Sequence, residues 1–210
     1  DGKDDVTTLA IKTLFQQGPG GAASVESFTR RSRPAGTKWY YASAETEVLS
    51  LVVSAATGRN LSEYLSEKIW IPMGAEADAM WLIDGGGHEL GFMGLNATLR
   101  DWGRLGMLLA NYGELGGKQI IPADWVKEAT RVHAPHLEVG VASKFNGYGY
   151  QTWIIRKDQP FFALFGVRGQ GIYIDPVGKL VVVHTAVFAG PRDSRAAQFE
   201  LFFTTLKNLS

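Results

Sequence analysis

Apolar positions along this chain follow helical spacing up to about residue 130 and strand-like spacing from residue 149 onward. Val6, Leu9, Ala10 and Leu14 predict a short helix within Val6–Gln16, stopped by Gly18-Pro19-Gly20-Gly21. Ser27–Thr37 reads as a loop with Pro34-Ala35-Gly36 as its turn. Val48, Leu49, Leu51, Val52 and Ala55 predict a buried helix over Glu45–Ala56, with Gly58 as its C-cap. Asn60, with Glu63 three residues on, has the form of a capping box. It opens a second helix that buries Leu61, Tyr64, Leu65 and Ile69 and ends at Ile71-Pro72-Met73-Gly74. Ala75–Asn96 is irregular and glycine-rich, with Asp84-Gly85-Gly86-Gly87 as its loosest point. Thr98 and Asp101 cap a helix over Leu99–Ala110, with Leu105, Leu108 and Leu109 inward and Asn111-Tyr112-Gly113 closing it. Pro122 suits the first turn of a helix over Ala123–Thr130, and Arg131–Asn146 reads as a long loop.

Gly149–Ile155, Phe161–Val167, Gly171–Ile174 and Leu180–Val187 are apolar, β-branched and aromatic, and short turns separate them. Connections that short imply an antiparallel meander. Arg195–Leu206 carries Ala196, Phe199, Phe202, Phe203 and Leu206 on one face and predicts a helix laid against the sheet. The class is α+β, an antiparallel sheet flanked by helices with a helical subdomain. Residues 1–146 form the mainly helical part and 147–210 the strands and the last helix; together they read as one incomplete catalytic domain.

Composition narrows the chemistry. Of 210 residues, 45% are hydrophobic and 20% charged, an ordinary balance for a chain with a sizeable core. Lys plus Arg equals Asp plus Glu, so no basic excess marks a nucleic-acid surface. Arg30, Arg31 and Arg33 form one short run, read as a solvated loop. Without cysteine there is no disulfide, thiolate metal site or Cys nucleophile, which is compatible with a periplasmic or secreted setting. No apolar run approaches a membrane span. His88, His133, His136 and His184 do not cluster at metal-ligand spacing, so no metal or organic cofactor is expected. The start, Asp1-Gly2-Lys3-Asp4-Asp5, reads as a processing boundary.

Tyr41-Ala42-Ser43, at the mouth of a predicted helix, resembles the Tyr-x-Asn or Tyr-x-Ser element of the penicillin-recognising serine hydrolases. Pro34-Ala35-Gly36-Thr37 resembles that family's Pro-Gly-Thr turn, and Pro72-Met73-Gly74 its Pro-Leu-Gly. Asn96–Gly106 is similar to a family helix, and Gly147-Tyr148-Gly149-Tyr150 to Trp153 to its Tyr-Gly-x-x-Trp strand. The resemblance runs from about Pro34 onward. It lies with the branch of class C β-lactamases, β-lactamase-type carboxylesterases and 6-aminohexanoate-dimer hydrolases. Trp81, Trp125 and Phe165-Gly166-Val167-Arg168-Gly169-Gln170 favour the last of these.

The resemblance implies acyl transfer through a covalent acyl-enzyme on esters or short amides. It makes Tyr41 the proton-transfer group, with Ser43 hydrogen-bonded in its network. A phenol is a poor base unless nearby cations favour the phenolate, and in the family a Ser-x-x-Lys supplies both nucleophile and cation. No Ser-x-x-Lys occurs in these 210 residues, so the nucleophile is expected upstream, on a companion polypeptide or removed segment, and this fragment alone is expected to be inactive. Where the family has Lys-Thr-Gly or His-Thr-Gly, this chain has Val167-Arg168-Gly169. The resemblance makes the Gln170 N–H half of an oxyanion hole, Gly169 the residue that clears a path for substrate, and Arg168 a candidate ligand for a substrate carboxylate. Trp81 and Trp153 are candidate pocket walls or packing residues. The missing strands also leave an open sheet edge, to be covered by the companion segment or by self-association. The alternative is a non-catalytic ligand-binding relative on the same fold.

Overall fold

The computed structural model describes residues 5–14, 20–31, 33–189, 201, 202, 204, 205 and 208, with side chains at all of these but 5–8 and 14. The chain divides into two compact units, Asp1–Thr98 and Leu99–Ser210. In the first, helices α1 (Asp5–Leu14), α2 (Gly21–Glu26) and α3 (Ser43–Thr57) pack on one another. Helix α2 falls where the sequence reading sees only the end of a glycine-rich stop. Helix α4 (Leu61–Leu65) runs on into a π-helical turn, Ser66–Trp70, and ends in the turn at Ile71-Pro72-Met73-Gly74 as expected. Strands β1 (Met80–Trp81) and β2 (Leu95–Asn96) pair antiparallel at the base of the loop between them.

Helix α3 ends as predicted. Gly58 is left-handed, with φ 66°, and its N–H donates to Ser54 O at 2.9 Å. Its packed face is the reverse of the one the apolar spacing predicts. Glu47 and Ser50 are buried, whereas Val48, Leu49, Val52 and Val53 are exposed. The physical reason is backbone satisfaction. The inward side of α3 meets the start of α2 at Gly21 and the loop at Gly91, and Glu47 Oε2 accepts the Gly91 N–H at 2.8 Å. A Cβ on Gly91 would come within 2.6 Å of Ser50 Oγ, and one on Gly21 would collide with Glu47 Oε1.

The capping box is also replaced. Asn60 makes no side-chain cap to α4. The Glu89 carboxylate does this instead, accepting from Leu61 N at 3.3 Å, Ser62 N at 3.1 Å and the Ser62 hydroxyl. Asp84, placed by sequence in the loosest stretch, is only 4% exposed. It caps α2 from 63 residues away, accepting Gly21 N–H at 2.7 Å, and tightens its own loop by accepting Gly86 and His88 N–H at 2.8 and 3.1 Å. An anionic acceptor at a helix N-terminus satisfies an otherwise orphaned donor and favours the helix dipole.

In the second unit, α5 (Leu99–Ala110) precedes a small hairpin, β3 (Glu114–Leu115) with β4 (Lys118–Gln119), and then α6 (Ala123–Ala129). A 3₁₀ turn, Pro135–Leu137, interrupts the expected long loop. The sheet follows: β5 (Gly147–Tyr148), β6 (Trp153–Ile154), β7 (Phe162–Phe165), β8 (Gly171–Asp175) and β9 (Leu180–His184), in sequence order and antiparallel throughout. Of the strand expected over Gly149–Ile155 only Trp153–Ile154 is strand; residues 149–152 form the turn that joins it to β5. Ala129 O draws that turn inward by accepting Tyr150 N–H at 2.9 Å and the Thr152 hydroxyl at 2.7 Å, and Gln151 takes a positive φ of 57°.

The core of this unit joins Ala110, Ile154, Phe162, Ile172 and Ile174, with Trp102, Leu109, Val181 and Val183 against them. Each large apolar side chain removed from water contributes roughly 1.5–3 kcal/mol. Helix α5 lies on β8 and β9. It comes close because Gly106 faces the sheet: a Cβ there would collide with Val181 and reach Ile172 Cγ2 at 3.1 Å. The expected last helix falls mostly outside the described residues. Of its described positions, 201, 202, 204 and 205 are helical, and Phe202 is buried, stacked on Phe161 and Tyr173 with ring centroids 4.9 Å apart in each case. A Gly106→Leu change forces α5 off the sheet and is expected to cost about 2–3 kcal/mol, read as a lower denaturant midpoint for the unit, while Gly103→Ala, in the same helix and with its nearest neighbour, Val183 Cγ2, 4.0 Å from the added Cβ, serves as the control for a side chain added to α5 outside the contact.

Candidate active site

The Tyr-x-Ser motif sits where an extended segment turns into α3. Ala42 is the N-cap residue in extended conformation, with φ −132° and ψ 118°, and Ser43 is the first helical residue. The extended segment lifts Tyr41 out of the helix: its ring is 51% exposed and tilts against Trp39, centroids 6.2 Å apart. Tyr40, beside it, lies under the Arg33 guanidinium at 5.5 Å, so one arginine of the run is engaged with an aromatic face. Trp81 does a structural task in the same unit. Its indole N–H donates to Leu90 O at 2.9 Å and Met93 O at 3.2 Å. That holds the loop whose Gly91 meets α3.

Three buried carboxylates fix the base of α3 and its neighbours. Burial pushes the Glu47 carboxyl above the ordinary glutamate range; the Gly91 N–H opposes this and the nearby Asp84 charge adds to it. For Asp84, burial opposes the charge, but N–H groups of Gly21, His88 and Gly86 outweigh it and hold the carboxyl below its usual range. Glu89 is likewise lowered, against burial, by the Ser62 hydroxyl and the amides of Ser62 and Leu61.

In the second unit, the β7–β8 connection brings Val167, Arg168, Gly169 and Gln170 together in one turn. The ladder pairs Phe165 with Gly171, and Gly166 N–H closes the turn on Gln170 O at 3.0 Å. Arg168 is left-handed, φ 64°, and Gly169 has φ 100°. Val167 projects into solvent, 65% exposed. The Arg168 guanidinium is occupied: its Nη1 donates to Phe188 O and Ala189 O, both at 3.0 Å, and Arg168 O accepts Phe188 N–H at 3.1 Å. Gly169 is required by its neighbours, since a Cβ would collide with the Phe188 ring. The Gln170 amide donates to Ala186 O at 2.8 Å. His184 has Nδ1 2.7 Å from Gly169 O and stacks on Phe188, centroids 5.9 Å apart. His184 and Phe188 therefore belong to the turn, a fact no local motif announces because both lie well beyond it in sequence. Trp153 is buried in the sheet, edge-on to Tyr148 at 5.0 Å and 5.9 Å from Phe165.

The remaining polar clusters are internally compensated. His133 is stacked on Tyr150 at 4.1 Å and 2°, and its Nε2 donates to Glu128 O at 2.8 Å. A cavity of about 680 Å³ over Val139 and Ile154 is rimmed by Lys127, Arg131, Arg156 and Lys157. Each of these four is paired with an acid, and none of the sequence-predicted site residues lines the cavity. Among the described residues no group of three or more His, Cys, Asp or Glu is arranged to hold a metal ion, and no helix is long and apolar enough to cross a membrane.

The helices and antiparallel sheet match the fold of β-lactamases and penicillin-binding proteins. The sequence profile of the Beta-lactamase family matches residues 22–201, and the chain belongs to that family. It is 27% identical over 158 residues to the 6-aminohexanoate-dimer hydrolase of Paenarthrobacter ureafaciens, covering 73% of this chain and 40% of that protein. A Bacillus anthracis structure provisionally described as a 6-aminohexanoate-dimer hydrolase superposes with a TM-score of 0.83 at 30% identity, over 95% of this chain and 53% of that one. A penicillin-binding protein from Bacillus halodurans shares the fold, with a TM-score of 0.60 at 18% identity, over 85% of this chain and 63% of that one. The chain thus spans about half the length of the hydrolase relatives it matches.

Glu47 gives the first unit a pH signature. A carboxyl raised on folding stabilises most below its unfolded pKa, and that contribution is lost as pH rises through the folded value. Glu47→Gln removes the titration and keeps an acceptor for Gly91. Its stability relative to wild type is expected to be greater at pH 7 than at pH 4, measured by thermal unfolding at both.

Proposed function

We propose that the full-length protein is a serine hydrolase that cleaves short amides or esters through an acyl-enzyme, with the nucleophile and its lysine carried outside these 210 residues. The observation that carries the reading is Tyr41, half exposed at the opening of α3 and two residues ahead of Ser43, in a chain of the Beta-lactamase family. In this scheme the serine hydroxyl attacks the substrate carbonyl. Tyr41 shares the transfer of the hydroxyl proton to the leaving group, Ser43 hydrogen-bonds in its network, and the Gln170 N–H stabilises the tetrahedral oxyanion. Water then attacks the acyl-enzyme and releases the acid, restoring the serine.

Similarity to the Paenarthrobacter and Bacillus anthracis proteins favours an amide of the aminoalkanoate type as substrate. The engagement of Arg168 with the Phe188 and Ala189 carbonyls weakens the case for it as a direct ligand of a substrate carboxylate. We also propose that the exposed apolar face of α3 (Val48, Leu49, Val52 and Val53) is covered by the portion of the full-length protein that relatives of twice this span possess.

In full-length protein treated with a fluorophosphonate, the intact mass is expected to rise by one adduct, located by peptide mapping outside residues 1–210. Tyr41→Phe is expected to lower kcat for a p-nitrophenyl ester by about 100-fold or more. An unlabelled, inactive full-length protein would instead favour a binding-only relative.

A further inference from the structure

The Gly169–Gln170 peptide is held in one orientation by a side chain from a neighbouring strand. A peptide group is planar, and no cis bond occurs among the described residues, so the Gly169 carbonyl and the Gln170 N–H point in opposite directions. Whatever fixes the carbonyl therefore aims the N–H. His184 closes β9, and the ladder register pairs it with Gly171, beside the turn. Its Nδ1 lies 2.7 Å from Gly169 O. A carbonyl only accepts, so Nδ1 carries the proton and donates.

We infer that His184 is a positioning residue: its hydrogen bond to Gly169 O sets the plane of the Gly169–Gln170 peptide and so directs the Gln170 N–H toward the reacting carbonyl. The catalytic consequence rests on the hydrolase reading above; the orientation does not. Three further contacts make the clamp stiff. Phe188 stacks on the imidazole and fills the space a side chain at position 169 would need. Arg168 ties the 188–189 backbone to the turn through its guanidinium and its own carbonyl. Gln170 is anchored on either side of the N–H, by its carbonyl to Gly166 N–H and by its side chain to Ala186 O. A hydrogen bond on the carbonyl also polarises the peptide and strengthens the N–H as a donor. Arg168 and His184 thus both act on the oxyanion donor through the backbone.

The test compares His184→Leu, which removes the donor, with His184→Asn, whose Nδ2 takes the place of the imidazole Nδ1. Full-length protein, selectively labelled with ¹⁵N-glutamine, reports the Gln170 amide shift and its hydrogen exchange; p-nitrophenyl ester turnover reports kcat and KM. His184→Leu is expected to move the Gln170 amide resonance, speed its exchange and lower kcat about 30-fold with KM changed less than about twofold. His184→Asn is expected to restore the shift and most of kcat. An unmoved Gln170 amide in His184→Leu overturns the inference, as does a kcat equal in the two variants. If wild type neither turns over ester nor takes the fluorophosphonate, the hydrolase reading falls and the amide shift alone decides the orientation. Should His184→Leu not fold, Phe188→Leu leaves the imidazole without its stacking partner; it is expected to move the Gln170 amide in the same sense, and an unmoved amide there overturns the clamp.

Discussion

The first unit depends on buried carboxylates that accept backbone N–H groups from distant parts of the chain. Among its described residues the strand pairing of β1 with β2 is two residues long and the connections are long and irregular, so ordinary ladders leave many amides to be satisfied. Asp84 and Glu89 cap α2 and α4 across 63 and 28 residues, and Glu47 takes Gly91 across 44. An unpaired buried carboxylate costs several kcal/mol. A charge-assisted hydrogen bond from a backbone amide contributes about 1.5–3 kcal/mol. The balance goes differently at the three sites. Asp84 and Glu89 gather enough donors to keep the charge below its usual pKa, whereas Glu47, deeper and close to Asp84, is raised.

That constraint decides how the Tyr41-Ala42-Ser43 segment is presented. Glu47 lies one turn beyond Ser43 on α3, and anchoring its carboxylate to the Gly91 loop orients the helix with its polar side inward. The apolar residues Val48, Leu49, Val52 and Val53 are then left outward. The extended segment that enters this helix carries Tyr41 into solvent rather than into the unit's interior.

The second unit solves the complementary problem. Its sheet satisfies the backbone of the meander, and one irregular stretch beside it is the β7–β8 turn with the 185–189 segment. Here the backbone supplies acceptors and side chains supply donors: Arg168 to Phe188 and Ala189, Gln170 to Ala186, His184 to Gly169. Relative to the Lys-Thr-Gly or His-Thr-Gly of related sequences, the polar side chains at this turn are spent on its shape.

Much of the architecture was legible in the residues. Gly58 forces a helix end because left-handed backbone favours glycine, Leu99–Ala110 carries a clean helical period, and short turns between β-branched runs admit only antiparallel pairing. The Tyr41-Ala42-Ser43 and Val167–Gln170 segments were visible because each is contiguous and local. What the sequence could not settle were interactions between distant residues. The cap of α4 comes from Glu89 rather than Asn60, the loop at Asp84 is tight rather than loose, and α3 buries Glu47 and Ser50 rather than its valines. Local propensity counts hydrophobic and capping residues along the chain, whereas a buried amide takes whichever acceptor the fold brings near. His184 reached the Gly169 carbonyl in the same way, through strand register that only the tertiary structure fixes.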